Sequence, residues 1–414
     1  MRTLYWNKNI PKVVMSKVLR SLWQGVVWSP LGLTAMAEFS EPGLPGPHWL
    51  KVKNHLSGIC PTDLSLVFVQ ADPGVVLAPL YPDNVPVYLG HEVVSTITEV
   101  GPGVTRYEPG DRVILDKSVL TGLSPNCLSQ EIDPPCRFCA RGEYAVCENV
   151  AANVGPRGLG GGWSDGFTCH ETDVYPCPSD FTDDQAMLVE PMSVALHAVL
   201  RRPPKDTDKV LIIGAGTIGL LVVQAVHAVS PNAFLAVSAK YPHQAEAARR
   251  FGANEIIGRE DQFAAVARLT GGKHYTALLN RGMILGGFDV VYDCVGTGDT
   301  VTDALRWARA GGVVVRVGID FTFMKVDLGP VNYQEVDLVG SRGHDVDEWQ
   351  GRRRPTYDWV IDLVREGKFR SDGLITHRFP LREYRQAIMT SISKSKEKPI
   401  KVIFDLSLDK EKKE

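Results

Sequence analysis

Apolar residues along this chain follow two rhythms. From about Val26 to Pro178 they come in short β-branched runs broken by glycine and proline, such as Leu50-Lys51-Val52-Lys53 and Val93-Val94-Ser95-Thr96-Ile97-Thr98-Glu99-Val100. That spacing predicts a strand-rich, barrel-like domain. From about Met192 to Arg342, apolar strands at Val210–Ile213, Phe234–Val237, Val290–Tyr292 and Val313–Val317 alternate with helical segments. The alternation predicts a parallel sheet wound with helices on both faces. From Gly343 the texture is mixed again, and this last stretch is expected to complete the first domain. The predicted division is 1–191, 192–342 and 343–414, and a length of 414 residues exceeds what one core usually reaches.

The most apolar stretch, Val210 to Val229, approaches a membrane span in length. It contains Gly214-Ala215-Gly216-Thr217-Ile218-Gly219 and a polar Gln224, which predicts a buried strand, turn and helix instead. A strand followed by Gly-x-Gly-x-x-Gly and a helix is the setting of a dinucleotide site. The first glycine makes the tight turn, the second admits a pyrophosphate to the backbone, and the third lets helix pack on strand. About 20 residues on, NAD-selective sites carry a carboxylate for the ribose 2′-hydroxyl. Here the turn reads Ser238-Ala239-Lys240-Tyr241. Lys240 puts positive charge where a 2′-phosphate would sit, so NADP is expected over NAD, with Ser238 and Lys240 as its contacts. Cys294, at the end of another apolar strand, is expected in the core.

Charge and cysteine usage narrow the class. With 45 basic and 48 acidic residues the net charge is -3, giving no global reason to bind nucleic acid or an anionic membrane. The expected partner is a small molecule. Met1 to Pro30 lacks the apolar core and cleavage site of a secretory signal, so a cytoplasmic protein is expected. Four of the eight cysteines fall between Cys127 and Cys147, which suits metal ligation better than cross-linking.

Two metal sites are expected. Cys60 in Gly58-Ile59-Cys60-Pro61-Thr62-Asp63, His91 in Gly90-His91-Glu92, and either Glu92 or Glu190 supply the three protein ligands of a catalytic zinc that keeps one position open. Glu190 is read at the start of a helix, where the dipole favours its charge; His197, seven residues on, is expected to pack. The second set is Asp133-x2-Cys136-x2-Cys139-x7-Cys147, a closed structural zinc with Asp133 as fourth ligand or Cys127 in its place.

With these residues in view, the chain resembles the zinc-dependent medium-chain alcohol and polyol dehydrogenases from about Val26 to Asp405. The resemblance rests on Gly90-His91-Glu92, Gly110-Asp111-Arg112-Val113 and the glycine fingerprint. It implies an α/β protein: a GroES-like, β-rich catalytic domain with a Rossmann doubly wound parallel sheet, in a homodimer or homotetramer. It makes Cys60 and His91 zinc ligands, with Glu92 and Glu190 the carboxylates of the glutamate-ligand branch that includes sorbitol, glucose and threonine dehydrogenases. Thr62 takes the place of the hydroxyl that passes the substrate proton outward. Ser65 stands where many members have a histidine, Pro61 replaces a frequent glycine, and Asp133 replaces the first of four lobe cysteines. Some twenty N-terminal residues are an extension without a family counterpart.

The activity implied is hydride transfer between an alcohol or polyol and a nicotinamide, with zinc as Lewis acid. The alternatives are a zinc-bearing reductase of activated double bonds and a non-catalytic cofactor-binding protein; the retained ligand set argues against the latter. Pocket walls are expected from the loops Val67 to Val87 and Val154 to Phe167, where the segment Gly158 to Trp163 is either such a wall, with Trp163 offering an apolar face, or a plain mobile loop.

Overall fold

The computed structural model describes residues 1–7, 9–20, 22–70, 87–116, 126–150, 152, 154–259, 261–276 and 282–409. The chain forms two compact units: Met1–Glu190 with Gly373–Ser393 and Lys401–Glu414, and Pro191–Asp372 with Lys394–Ile400.

The first unit is built on a seven-stranded sheet. Its path runs Ile375–Phe379, Lys401–Asp405, Trp49–Gly58, Val93–Val100, Arg112–Leu115, Val174–Pro176, and Gly166–His170 pairs additionally with Trp49–Gly58. Alternation of side chains on these strands buries Leu50, Val52, Val93, Ile97, Val113, Leu115, Phe167 and Val174 in one core. The N-terminal segment is not an appendage. Arg2–Trp6 is the central strand of a three-stranded sheet, antiparallel to both Thr34–Glu38 and Val87–Tyr88. Leu4 and Trp6 are buried there, and Arg2 forms an ion pair with Asp165. The extra residues are therefore an excursion between the first two strands, carrying the helix Ile10–Leu19.

The second unit holds a six-stranded parallel sheet in the order Glu255–Ile257, Phe234–Ser238, Lys209–Ile213, Phe288–Asp293, Ala308–Arg316, Asp337–Gly340. Chain order reverses between the two central strands, the switch point at whose carboxyl ends ligands bind in such sheets. Helices Thr217–Val229, Pro242–Arg250, Gln262–Thr270 and Gly298–Trp307 connect its strands. The chain returns to the first unit at Gly373, not Gly343. The reason is a buried network inside the second unit. His197 Nδ1 lies 2.9 Å from Asp347 Oδ1, and Thr356 Oγ1 donates to Asp347 Oδ2 at 2.6 Å, fastening the helix Thr356–Arg365 to this unit.

Candidate metal centre and cofactor site

In the first unit, Cys60 caps the helix Pro61–Val67 in an extended conformation. Pro61 opens the helix, where its missing N–H costs nothing, so its departure from glycine is accommodated. His91 and Glu92 follow Gly90, whose φ is 87°. A Cβ on Gly90 would stand 2.3 Å from Trp163 Cδ1, and one on Gly58 would stand 1.9 Å from Glu92 Oε2. Both glycines are thus required by close approach. Trp163 is a fully buried core side chain, not a pocket wall; its Nε1 donates to Gly58 O at 3.1 Å and its ring packs 5.5 Å from Phe404. Of the other expected wall, residues 71–86 lie outside the described residues.

One ligand atom each of Cys60, His91 and Glu92 comes within 4.8 Å of the others, in a largely buried pocket. Glu190 is not in that trio, though it is buried beside it: burial first, then Glu92 and Asp63, push its carboxyl up to about 7 against His91 and Lys401. Nor does Glu190 begin a helix. The helix starts at Asp183, where Thr182 and Gln185 cap each other, and Glu190 sits in mid-helix just before Pro191. The Thr-Asp-Asp-Gln capping box was the overlooked sequence signal.

Sequence reasoning missed two neighbours. Asp63, fully buried, lies 3.1 Å from His91 Nδ1 and accepts the Gly90 N–H at 3.0 Å. It fixes the ring so that Nε2 is left for a metal, the usual carboxylate support of a histidine ligand. Burial opposes charge on His91, but Asp63 and Cys60 raise its pKa well above the ordinary value. Lys401, 2 % exposed, is in close ion-pair contact with Glu92 and donates to Ile59 O at 3.2 Å. Its signal was a lone cation in the apolar strand Lys401-Val402-Ile403-Phe404. Thr62 Oγ1 donates to Cys60 Sγ at 3.1 Å, and Ser65 Oγ donates to Thr62 O at 2.7 Å. Among the described residues, Cys60, Asp63, Glu92 and Glu190 gather around the cation Lys401 and His91. This acid-rich, buried set of mixed sulfur, nitrogen and oxygen donors fits zinc.

The second set assembles with Cys127, not Asp133. Cys127, Cys136, Cys139 and Cys147 bring their sulfurs within 4.8 Å of one another, while Asp133 is exposed on the preceding turn. Four thiolates about 2.3 Å from a tetrahedral zinc stand about 3.8 Å apart. Cys127 and Cys147 are 3.7 Å apart. Cys127 Sγ accepts from Cys136 N and Asn149 Nδ2, each at 3.3 Å. Burial disfavours the Cys136 thiolate, yet backbone N–H groups of Cys139 and Glu148 bring it down to about 6; burial pushes Cys147 up to about 11.

In the second unit, Gly214 has φ 94° and a Cβ on Gly219 would lie 1.8 Å from Gly214 O. A Cβ on Gly216 would meet nothing within 4 Å. Gly216 caps the helix Thr217–Val229 without a side-chain hydrogen bond, so no cap side chain occupies the N–H groups of its first turn. The turn fits a pyrophosphate. Thr217 Oγ1 itself donates to Ile400 O at 2.8 Å. At the neighbouring strand end, Ser238 Oγ accepts from Gln262 Nε2 at 3.3 Å and Lys240 is exposed beside the Tyr241 ring. Cys294 is half-buried behind the turn, with its thiol raised by burial.

Residues 46–179 match the family model of the alcohol dehydrogenase GroES-like domain and residues 217–354 that of zinc-binding dehydrogenases. The chain is 29 % identical over 367 residues to L-idonate 5-dehydrogenase of Vitis vinifera, covering 87 % of this chain and 89 % of the relative. Its fold superposes on (2R,3R)-butanediol dehydrogenase of Bacillus subtilis with a TM-score of 0.69 at 25 % identity, covering 90 % and 96 % of the two chains. A zinc-binding dehydrogenase of Sinorhizobium meliloti 1021, solved bound to NADP, gives 0.65 at 25 % identity over 90 % and 95 %. With both domains matched in order and both sites built, the chain belongs to the zinc-type medium-chain alcohol and polyol dehydrogenases, nicotinamide-dependent oxidoreductases acting on CH–OH groups.

Proposed function

We propose that this enzyme reversibly oxidises a polyol or related secondary alcohol with NADP, at a zinc held by Cys60, His91 and Glu92 with Glu190 in reserve, and that a second zinc on Cys127, Cys136, Cys139 and Cys147 is structural. The observation that carries the reading is the convergence of Cys60, His91 and Glu92 in a buried pocket of a chain that also carries the open glycine turn. When bound, zinc supplies Lewis acidity to the hydroxyl oxygen and the nicotinamide takes the hydride. The chain's own residues do the rest. Asp63 orients His91, and Lys401 holds Glu92 at the pocket wall. Thr62 Oγ1, already beside Cys60 Sγ, is placed to take the substrate proton. Ser65 stands at the usual histidine position and its hydroxyl donates to the Thr62 carbonyl, so that proton leaves without an imidazole relay.

Support for NADP is the absence of a carboxylate at Ser238-Ala239-Lys240 and the cation of Lys240. A charge-assisted contact is worth about 1.5 kcal/mol or more. Lys240→Ala should therefore cost about ten-fold in kcat/KM with NADP and little with NAD; a wild type that strongly prefers NAD refutes the assignment. Support for a homodimer or homotetramer is the strand Asp337–Gly340, whose outer edge pairs with nothing among the described residues, next to the exposed Tyr333 and Leu338. The test of the reaction is metal content and product analysis on wild type and Cys60→Ala. Two zincs per chain falling to one, with loss of alcohol–carbonyl interconversion, is expected. Full activity without zinc, or a saturated carbonyl as product, overturns the proposal.

A further inference from the structure

The excursion between Arg2–Trp6 and Thr34–Glu38 has its polarity inverted. One face of the helix Ile10–Leu19 is seated in the protein: Val13 and Ser16 are buried, and Ser16 Oγ donates to Leu31 O at 2.8 Å. The face turned outward should be polar in a surface helix. Here it presents Val14, Met15 and Val18, continued by Leu22 and Trp23, with Val18 62 %, Leu22 84 % and Trp23 56 % exposed. Val14 and Val18, one turn apart, share a face of the helix, and Leu22 and Trp23 follow just beyond its C-terminal end.

The charge of this segment is equally one-sided. Five basic residues and no acidic one precede Glu38, while the remaining chain has 40 basic and 48 acidic residues. The near-neutral total conceals a cationic N-terminal segment. Lys12 Nζ donates to Pro30 O at 3.0 Å and Arg20 donates to Phe68 O. Among the described residues these partners are neutral carbonyls, which do not offset either charge. Arg385, 5.9 Å from the Trp28 ring, adds another cation on the same unit. A symmetric contact with a second copy would set these cations against their own counterparts, since a two-fold interface pairs like patches. An apolar stripe flanked by lysine and arginine, with an exposed tryptophan, is instead the make-up of a helix lying in a lipid interface.

We propose that the helix Ile10–Leu19, with Leu22 and Trp23, docks the enzyme on a bilayer containing anionic phospholipid. Val14, Val18, Leu22 and Trp23 enter the boundary between headgroups and acyl chains, while Lys12 and Arg20 meet lipid phosphates. The enzyme lies on the membrane without crossing it; no helix among the described residues is long and apolar enough to span.

The test is co-sedimentation of the full chain with vesicles of phosphatidylcholine alone and of phosphatidylcholine mixed with phosphatidylglycerol. The wild type should pellet with the mixed vesicles, remain in solution with the neutral ones, and be released by salt. Each cation near an anionic leaflet contributes about five-fold in affinity, so Lys12→Gln should weaken binding by about that factor. The double variant Val18→Glu, Leu22→Glu should lose binding while keeping wild-type turnover of a soluble alcohol, which also shows it folded. No binding of the wild type to anionic vesicles, or unaltered binding of the double variant, overturns the proposal. So does wild-type self-association that the double variant abolishes, which would assign the stripe to a second copy.

Discussion

Replacing Cys127 by serine tests the second metal set most sharply, because the sequence leaves its fourth ligand open between Asp133 and Cys127 and the geometry brings only Cys127 to the other three sulfurs. Cys127 Sγ is fully buried, 3.7 Å from Cys147 Sγ, and accepts two N–H groups that would stabilise a thiolate. Asp133 is exposed, outside the group of four sulfurs. Structural zinc binds small cysteine-rich peptides with about 10–16 kcal/mol of apparent free energy at neutral pH, or about 3 kcal/mol for each of four ligands. At 1.36 kcal/mol per decade, losing one thiolate should weaken zinc binding at this set by about a hundred-fold or more. Serine keeps the volume but offers a hydroxyl that stays protonated. Elemental analysis after dialysis against a graded chelator should show Cys127→Ser losing one zinc per chain at a chelator strength the wild type withstands. Asp133→Asn should follow the wild-type curve. The argument fails if Asp133→Asn loses the metal and Cys127→Ser retains it.

Four further outcomes are expected. Gly216→Ala adds a methyl where the protein has room, so its unfolding midpoint should match wild type while nicotinamide-cofactor affinity drops. Gly219→Ala drives its methyl to 1.8 Å from Gly214 O and should lose both, with overpacking of about 1–3 kcal/mol equivalent to about five- to 150-fold in affinity; fluorescence titration and thermal unfolding separate the two. Lys401→Met strands Glu92, and breaking a buried pair costs about 3–5 kcal/mol, so the midpoint should fall and added zinc should recover part of it; an unchanged midpoint contradicts the pairing. Burial alone would raise the Asp165 pKa, but the Arg2 guanidinium and N–H hold it below the ordinary carboxylate value. Its stabilisation is therefore complete above the unfolded value of about 3.9 and is lost as pH falls through the lower folded value. The stability gap between wild type and Asp165→Asn should be full at neutral pH and close in acid, and a gap that widens in acid would reverse the sign.

Where local chemistry dictates structure, the sequence was legible. Gly214, Gly216 and Gly219 have backbone reasons to be glycine that need only their own turn, and the strands at Val210 and Val290 show their burial in unbroken apolar runs. Cys60 and His91 are likewise set by a helix start and a left-handed glycine close by in sequence. The errors arose where distant segments decide. The N-terminal residues read as an extension because Arg2–Trp6 shows itself as a strand only once Thr34–Glu38 and Val87–Tyr88 pair with it. The choice between Asp133 and Cys127, which spacing left open, falls to Cys127 only when the lobe closes Cys147 back onto it.

Lys401 shows what this difference means for function. A ligand must sit on a rigid local frame, so its sequence neighbourhood is constrained and recognisable. The cation that balances it needs only to arrive, and it arrives 342 residues from Ile59 on a strand antiparallel to Trp49–Gly58. Without it, Glu92 would be a carboxylate buried against Glu190 and Asp63. With it, Glu92 has a cationic partner besides the zinc proposed for this site, and both contacts draw on the same carboxylate. The strand register that joins Ile403 to Gly58 is therefore as much a determinant of the metal centre as the histidine and cysteine that announce it.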